Sequence, residues 1–310
     1  MKKVFITMIM FLPLLLSGQN DIQLSQQFLS RVNYNPAAMG GSNYMHVFLI
    51  GRQQFLNFTG APSTQVLNAH NYFANLNSGM GISITNDRIG AESSINAKFA
   101  YSYYLHFEGC YLSFGLGAGV LYKNLDPNKL RAETSLADPV VESYIGKTNK
   151  INADFDFGAE FNMEKFQIGA SVTHLNVSPI KIDNYQSGRH IYFYTKYTFG
   201  IDVDWKIAPT FVANMSTWPI IQLDLNTIAT YKERFWFGTA VRSNDKLKLE
   251  SLVGILGLYI TDFMGLGYSY DINLGPIGKY TSGSHEISLR FRIGRSEGGD
   301  VGIKTPRFFE

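Results

Sequence analysis

Several features that would place this chain in a common functional class are scarce or missing. Cys110 is the only cysteine among 310 residues, so neither an internal disulfide nor a cluster of thiolates around a metal can form. After Gln19 no run of about 18 apolar residues occurs, which excludes a bundle of membrane-spanning helices. The 27 basic and 25 acidic residues nearly cancel, so charge gives no reason to expect a nucleic acid as partner.

Catalytic and metal-binding motifs are equally scarce. The sequence contains no Gly-x-Ser-x-Gly motif. Gly115, Gly117 and Gly119 lack the spacing of a nucleotide-binding loop, and strand curvature or close packing explains them better. Six histidines are scattered without metal-ligand spacing: His46, His70, His106, His174, His190 and His285. We therefore predict no catalytic, cofactor-binding or metal-binding residues, although a lipid-modifying enzyme that assembles Ser and His across strands stays open.

What the sequence does contain is alternation of apolar and polar residues. In residues 284–293 and 151–163, apolar side chains share one face and charged or polar side chains the other, a period of two that predicts strands. Strands of this kind favour a membrane β-barrel with a wet interior over a soluble sandwich. A charge facing lipid at mid-bilayer would cost roughly 2 to 4 kcal/mol, so Asp154, Asp156 and Glu160 must point inward. We interpret these carboxylates as a solvated wall of the lumen rather than a catalytic pair.

The whole chain gives fourteen candidate strands of an all-β, antiparallel transmembrane barrel. They lie near residues 44–54, 64–73, 79–86, 94–107, 111–123, 151–163, 166–175, 190–205, 207–216, 220–231, 235–242, 246–258, 263–272 and 284–293. Tight turns, among them one at Trp205 and Lys206, alternate with connections that include three long loops, 124–150, 176–189 and 273–283. Outer-membrane barrels have short periplasmic turns and longer external loops. The pattern therefore predicts the cell outer membrane, with the mature N-terminus and the C-terminal tail both in the periplasm.

The chain divides into four parts on this interpretation. Residues 1–18 resemble a cleaved signal peptide, because two lysines precede an apolar run of 13 residues that is too short to span a bilayer. An uncleaved anchor is the alternative. Residues 19–43 are expected to form an ordered periplasmic lead-in or partial plug, or simply a linker. Residues 44–293 form the barrel, and residues 294–310 form a periplasmic tail.

Four short motifs carry a family resemblance that runs in order from about Gln23 to Ile293. They are residues 33–40 (NYNPAAMG), 51–55 (GRQQF) with 60–64 (GAPST), 267–271 (GYSYD) and 280–287 (YTSGSHEI). Together they resemble the PorP/SprF family of Bacteroidetes outer-membrane proteins. The resemblance implies a non-catalytic barrel of the type IX secretion and gliding-motility apparatus. It also implies protein partners: periplasmic secretion machinery, a peptidoglycan-binding lipoprotein or secreted surface adhesins.

Two segments are candidates for partner binding. The tail ends with Phe308 and Phe309 beside Lys304 and Arg307, two large rings on a hydrated tether that nothing in the tail itself can bury. They either dock a periplasmic partner or pack against the barrel's own rim. Asn35 and Pro36 are the other candidates. Besides a secretion scaffold in contact with outer-membrane lipid, two functions stay open: a diffusion channel or hydrophobic-solute transporter, and an outer-membrane lipid-modifying enzyme.

Overall fold

A computed structural model describes residues 21–42, 44–126, 129, 149–176, 188–216, 221–244 and 246–294. The described strands form one antiparallel sheet that closes on itself, because β15 pairs with β1 and β10 pairs with β11. The strands are β1 (Met45–Gln53), β2 (Ser63–Phe73), β3 (Ser78–Ile89), β4 (Glu92–Phe107), β5 (Cys110–Leu125), β6 (Asn149–Met163), β7 (Phe166–Thr173), β8 (His190–Tyr197), β9 (Phe199–Gly200), β10 (Trp205–Met215), β11 (Ile221–Tyr231), β12 (Phe235–Asn244), β13 (Leu249–Tyr259), β14 (Met264–Asn273) and β15 (Ser284–Ile293). The short strand β9 continues β8 along the same edge of β10, so the barrel wall consists of fourteen strands. The predicted fold class is confirmed.

The faces of the strands follow the predicted alternation. On β6, Ile151 is 71% exposed on the outside whereas Asp154 is 2% exposed on the inside. On β5, Leu116 is 63% exposed and Ser113 is fully buried. Outward side chains in these strands are apolar, as contact with lipid requires, whereas the inward faces carry mainly polar side chains and glycines. Among the described residues, no helix is long and apolar enough to cross a bilayer.

The predicted strand from His190 to Trp205 is wrong at its end. The ladder between β8 and β10 breaks near Pro209, which has no N–H to donate, and only Phe199–Gly200 continues the pairing beyond it. The chain then turns, because the Asp202 carboxylate accepts hydrogen bonds from the N–H groups of Asp204 and Trp205, both at 2.7 Å. Trp205 therefore begins β10, and the turn lies at residues 201–204 rather than at Trp205 and Lys206.

The two ends of the barrel differ in their connections. At what we call the short-turn end, residues 74–77, 108–109, 164–165, 201–204, 232–234 and 260–263 join neighbouring strands, and here β1 begins and β15 ends. The opposite, long-loop end carries the connections 54–62, 90–91, 126–148, 174–189, 216–220, 245–248 and 274–283. The first strand thus begins, and the last strand ends, on the short-turn side of the barrel.

Residues 21–42, which we call the lumenal segment, lie inside the barrel. The segment contains three single-turn 3₁₀ helices, Gln27–Leu29, Arg31–Asn33 and Pro36–Ala38. Leu24, Phe28 and Leu29 of the segment pack in a buried cluster with inward residues of the wall. These wall residues are Phe48, Ile50, Val66, Ala208, Ile228, Trp236, Ala240, Val253, Ile255 and Tyr259. A Cβ on Gly115 would overlap the backbone of Pro36 and Ala37, so the glycine there permits close approach. The core of this barrel therefore includes a peptide from its own chain.

Candidate functional site: the filled lumen

Buried charged groups of the barrel wall hold the lumenal segment by hydrogen bonds and ion pairs. The first group surrounds Arg52 of β1, whose guanidinium lies 2.6 Å from Asp271 and 3.1 Å from Glu286. The three side chains are at most 1% exposed. Arg52 also donates a hydrogen bond of 2.6 Å to the hydroxyl of Ser25. One residue of the segment is thereby built into an ion-pair network between β1, β14 and β15.

The carboxylates of this group also bind the backbone of the segment. Glu286 accepts hydrogen bonds of 2.8 Å from the N–H groups of both Ser25 and Gln26. The Ser25 hydroxyl donates to Asp271 at 2.6 Å, and the Ser288 hydroxyl donates to the Gln26 side chain at 2.7 Å. A buried carboxylate is tolerated only when it is paired and hydrogen-bonded. Here the segment supplies part of that requirement, so wall and segment depend on each other.

A second cation extends the network along the wall. Arg242 of β12 pairs with Asp224 at 2.9 Å and lies 3.5 Å from Asp271. Asp224 also accepts a hydrogen bond of 2.8 Å from the side chain of Gln27. Five charged side chains, two positive and three negative, therefore meet three successive residues of the segment, 25 to 27.

A second group holds the middle of the segment to the opposite wall. Arg31 pairs with Glu160 of β6 at 3.0 Å, and both side chains are at most 8% exposed. Glu160 also accepts hydrogen bonds from Gln167, at 3.2 Å, and from the hydroxyl of Tyr194. Because the acceptor in each of these hydrogen bonds is a carboxylate, they are charge-assisted and stronger than hydrogen bonds between neutral groups. Glu160 was predicted to face the lumen, which is confirmed, but it is not solvated.

The same correction applies to Asp154 and Asp156. Both are buried and pair with Lys98 of β4 at 2.9 and 2.8 Å. Asp154 also lies 2.9 Å from His174, whose ring is 3.9 Å from Asp21 of the segment. The expectation of a solvated wall fails because the lumenal segment excludes bulk water, so each carboxylate needs a partner.

Asn35 and Pro36, two of the predicted partner-binding residues, are buried in the lumen. Asn35 is fully buried, and its amide donates to the Ala159 carbonyl at 3.2 Å and to the Tyr194 hydroxyl at 2.9 Å. Its side-chain oxygen accepts from the Ala37 N–H at 2.9 Å and so caps the short helix that Pro36 begins. The contacts that the structure gives these two residues are within the chain. The other four candidates, Lys304, Arg307, Phe308 and Phe309, lie outside the described residues.

Space inside the barrel is limited. Two cavities beside the segment measure about 70 and 80 Å³, against roughly 300 to 1,000 Å³ for typical small-molecule sites. Among the described residues, no three His, Cys, Asp or Glu side chains are arranged to hold a metal ion. What this arrangement can do chemically is bind a peptide tightly, and it does so with its own N-terminal segment.

The sequence carries one signal for this site, in the positions of three charged residues. Arg52, Asp271 and Glu286 each belong to one of the short motifs that carry the family resemblance, yet they are far apart in sequence. The barrel brings them together because β1 and β14 both pair with β15. None of these three charged side chains can face lipid, so all three must point into the lumen. Charges that point inward from three separate motifs indicate that they form one polar cluster there.

The fold and the filled lumen define a class of protein: an outer-membrane β-barrel that contains its own N-terminal segment. The family model for the type IX secretion system membrane protein PorP/SprF matches residues 16–291. The chain belongs to this family, as the motifs indicated. No curated protein matches the sequence.

Solved structures are similar in fold. One is the CymD monoaromatic hydrocarbon channel, with a TM-score of 0.54 at 11% identity, covering 91% of this chain and 96% of that one. Another is the toluene transporter TbuX of Ralstonia pickettii, with a TM-score of 0.51 at 11% identity, covering 86% of this chain and 93% of that one. At this identity the similarity concerns the fold alone.

Proposed function

We propose that the protein is a non-catalytic scaffold of the type IX secretion and gliding apparatus, which acts by binding protein partners rather than by passing solutes. The observation that carries the proposal is the filled lumen: the buried Arg31–Glu160 ion pair and hydrogen bonds to the Arg52 group fix residues 21–42 in the space that a solute would cross. Membership in the PorP/SprF family supports the assignment to the secretion system.

The channel alternative is less well supported. Similarity to hydrocarbon channels is a similarity of fold, and one fold serves many functions. To pass a solute, the barrel would have to break the buried Arg31–Glu160 ion pair and the hydrogen bonds that Arg52 and Glu286 make to Ser25 and Gln26. Leaving one partner of a buried ion pair unpaired costs about 3 to 5 kcal/mol. Such a cost favours a permanently filled barrel.

The partner contacts are proposed to lie on both sides of the membrane. β15 ends at Ile293 on the short-turn side, so a periplasmic location of the short turns would put the tail in the periplasm too. There we propose that Phe308 and Phe309 bind periplasmic secretion components or a peptidoglycan-binding lipoprotein. Burying both rings would contribute roughly 3 to 6 kcal/mol before ordering costs, enough to hold a short peptide. The long loops would face secreted surface proteins outside the cell.

The test is affinity purification of the tagged protein from native outer membranes after mild crosslinking. We expect type IX secretion components to co-purify with the full chain. A Phe308→Ala/Phe309→Ala variant should lose the periplasmic partner, whereas Arg295→Ala, a control in the same tail, should retain it. Recovery of the barrel without any secretion component would contradict the scaffold proposal. Equal recovery with both tail variants would refute only the role of the rings.

A further inference from the structure

We infer that the lumenal segment crosses the barrel from end to end, so that the chain before Asp21 leaves the lumen at the long-loop end. This is the end opposite to the one where β1 begins. The inference rests on the contacts of the segment, and its direction relative to the cell rests on the proposed orientation. It replaces the expectation that the mature N-terminus lies in the periplasm.

The segment enters the lumen at the short-turn end. Gly40 donates a hydrogen bond of 3.1 Å to His70, near the end of β2 at that side. The Met39 carbonyl accepts from the hydroxyls of Ser102 and Tyr104, both at 2.6 Å, in the half of β4 that leads to its short turn. This entry follows from chain connectivity, because β1 starts at Met45 on the same side.

The middle of the segment lies deeper. Arg31 meets Glu160, which is three residues from the short-turn end of β6. Ser25, six residues earlier in the chain, meets Asp271 and Glu286, which lie near the long-loop ends of β14 and β15. The contacts therefore advance along the barrel as the residue number falls, and the segment does not double back within this stretch.

The first described residue is the farthest from the entry. Asp21 accepts a hydrogen bond of 2.7 Å from Tyr192 of β8 and faces His174, and the long loop 174–189 separates β7 from β8 here. A cavity beside Asp21 is lined by Ile89, at the end of β3, and Glu92, at the start of β4, both on the long-loop side. Asp21 thus lies near the long-loop end of the lumen.

Two anchors would keep the path fixed. Hydrogen bonds to the Arg52 group hold residues 25 to 27, and an ion pair with Glu160 holds Arg31. The segment therefore cannot reverse its direction in the lumen without breaking these buried contacts. If the long loops face outward, the chain before Asp21 is presented to the cell exterior while the C-terminal tail is periplasmic.

The test uses single cysteines in a Cys110→Ser background, since the chain has no other cysteine. Asn20→Cys reports on the segment, Lys279→Cys on a long loop and Glu108→Cys on a short turn. A membrane-impermeant maleimide is applied to intact cells and to lysed membranes. We expect positions 20 and 279 to react in intact cells and position 108 only after lysis.

The comparison separates the inference from the proposed orientation. The inference would be overturned if position 20 reacted in the same samples as position 108 and not in the same samples as position 279. If positions 20 and 279 both needed lysis while position 108 did not, the threading would hold and the proposed orientation would fail. As a second readout that does not depend on thiol access, an epitope inserted before Asp21 should bind antibody on intact cells, in a barrel whose gel mobility still shifts on heating. Antibody binding only after lysis, with long loops accessible outside, would also overturn the inference.

Discussion

Removing Arg52 should destabilise this barrel more than removing any solvent-exposed arginine. In the Arg52→Ala variant, Asp271 and Glu286 would lose a partner at 2.6 and 3.1 Å while staying buried. Arg242, 3.5 Å from Asp271, would compensate only one of them. Breaking a buried pair by removing one partner costs about 3 to 5 kcal/mol, because it leaves uncompensated charge in a medium that solvates it poorly.

The assay is urea unfolding of the purified protein in detergent, followed by the band that migrates faster before boiling. We expect the free energy of unfolding to fall by about 3 to 5 kcal/mol for Arg52→Ala. The exposed Arg234→Ala variant, with the same atoms removed, should change it by no more than about 0.5 kcal/mol.

A neutral version of the site provides the second control. Arg52→Met combined with Asp271→Asn and Glu286→Gln removes the charges together, and it should recover part of the loss because no unpaired charge stays buried. If Arg52→Ala unfolded within about 0.5 kcal/mol of Arg234→Ala, the ion pairs would contribute little, and the account of how the segment is held would be wrong.

Three further outcomes are expected. Gly115→Ala should lower the unfolding midpoint in urea because its Cβ would overlap the backbone of Ala37, whereas Gly254→Ala, where no atom lies within 4 Å, should not; equal midpoints would contradict close packing of the segment. The full-length protein should give no steady ion conductance in planar bilayers, and a deletion of residues 22–41 that still shows the heat-dependent gel shift should conduct; a conducting wild type would contradict the filled lumen. Asp202→Ala should lose about 1 to 2 kcal/mol of stability in urea unfolding since it removes the acceptor of the 201–204 turn, while Asp202→Asn retains it; equal losses would show that the acceptor is unimportant.

Alternation predicted the wall well because lipid on one face leaves a strand little choice of register. On β6 the inward carboxylates and outward phenylalanines are opposed as expected, and a slip of one residue would have placed Asp154 in lipid. The predicted strand end at Trp205 was wrong because that prediction, too, relied on alternation alone. Alternation continues through Ile201 and Val203 in the turn, so the pattern alone could not separate strand from turn, and only Pro209 and Asp202 carried the signal.

The lumenal segment was harder to predict than the wall. Single-turn 3₁₀ helices have no periodicity, and their stability comes from contacts with distant strands rather than from local propensity. The contacts that fix the segment join residues more than 100 positions apart, such as the ion pair of Arg31 with Glu160 and the hydrogen bond of Ser25 with Glu286. A single sequence gives the charge and inward face of Glu160 and Glu286, but it does not say that the partner is the chain's own N-terminal region.

The most direct test of the scaffold account is a deletion strain in which secreted type IX cargo and uptake of a small monoaromatic solute are measured together. The account predicts that cargo secretion or its surface display is lost, that uptake is unchanged, and that the wild-type gene restores secretion. Normal secretion with reduced solute uptake would contradict it and would make the barrel a transporter.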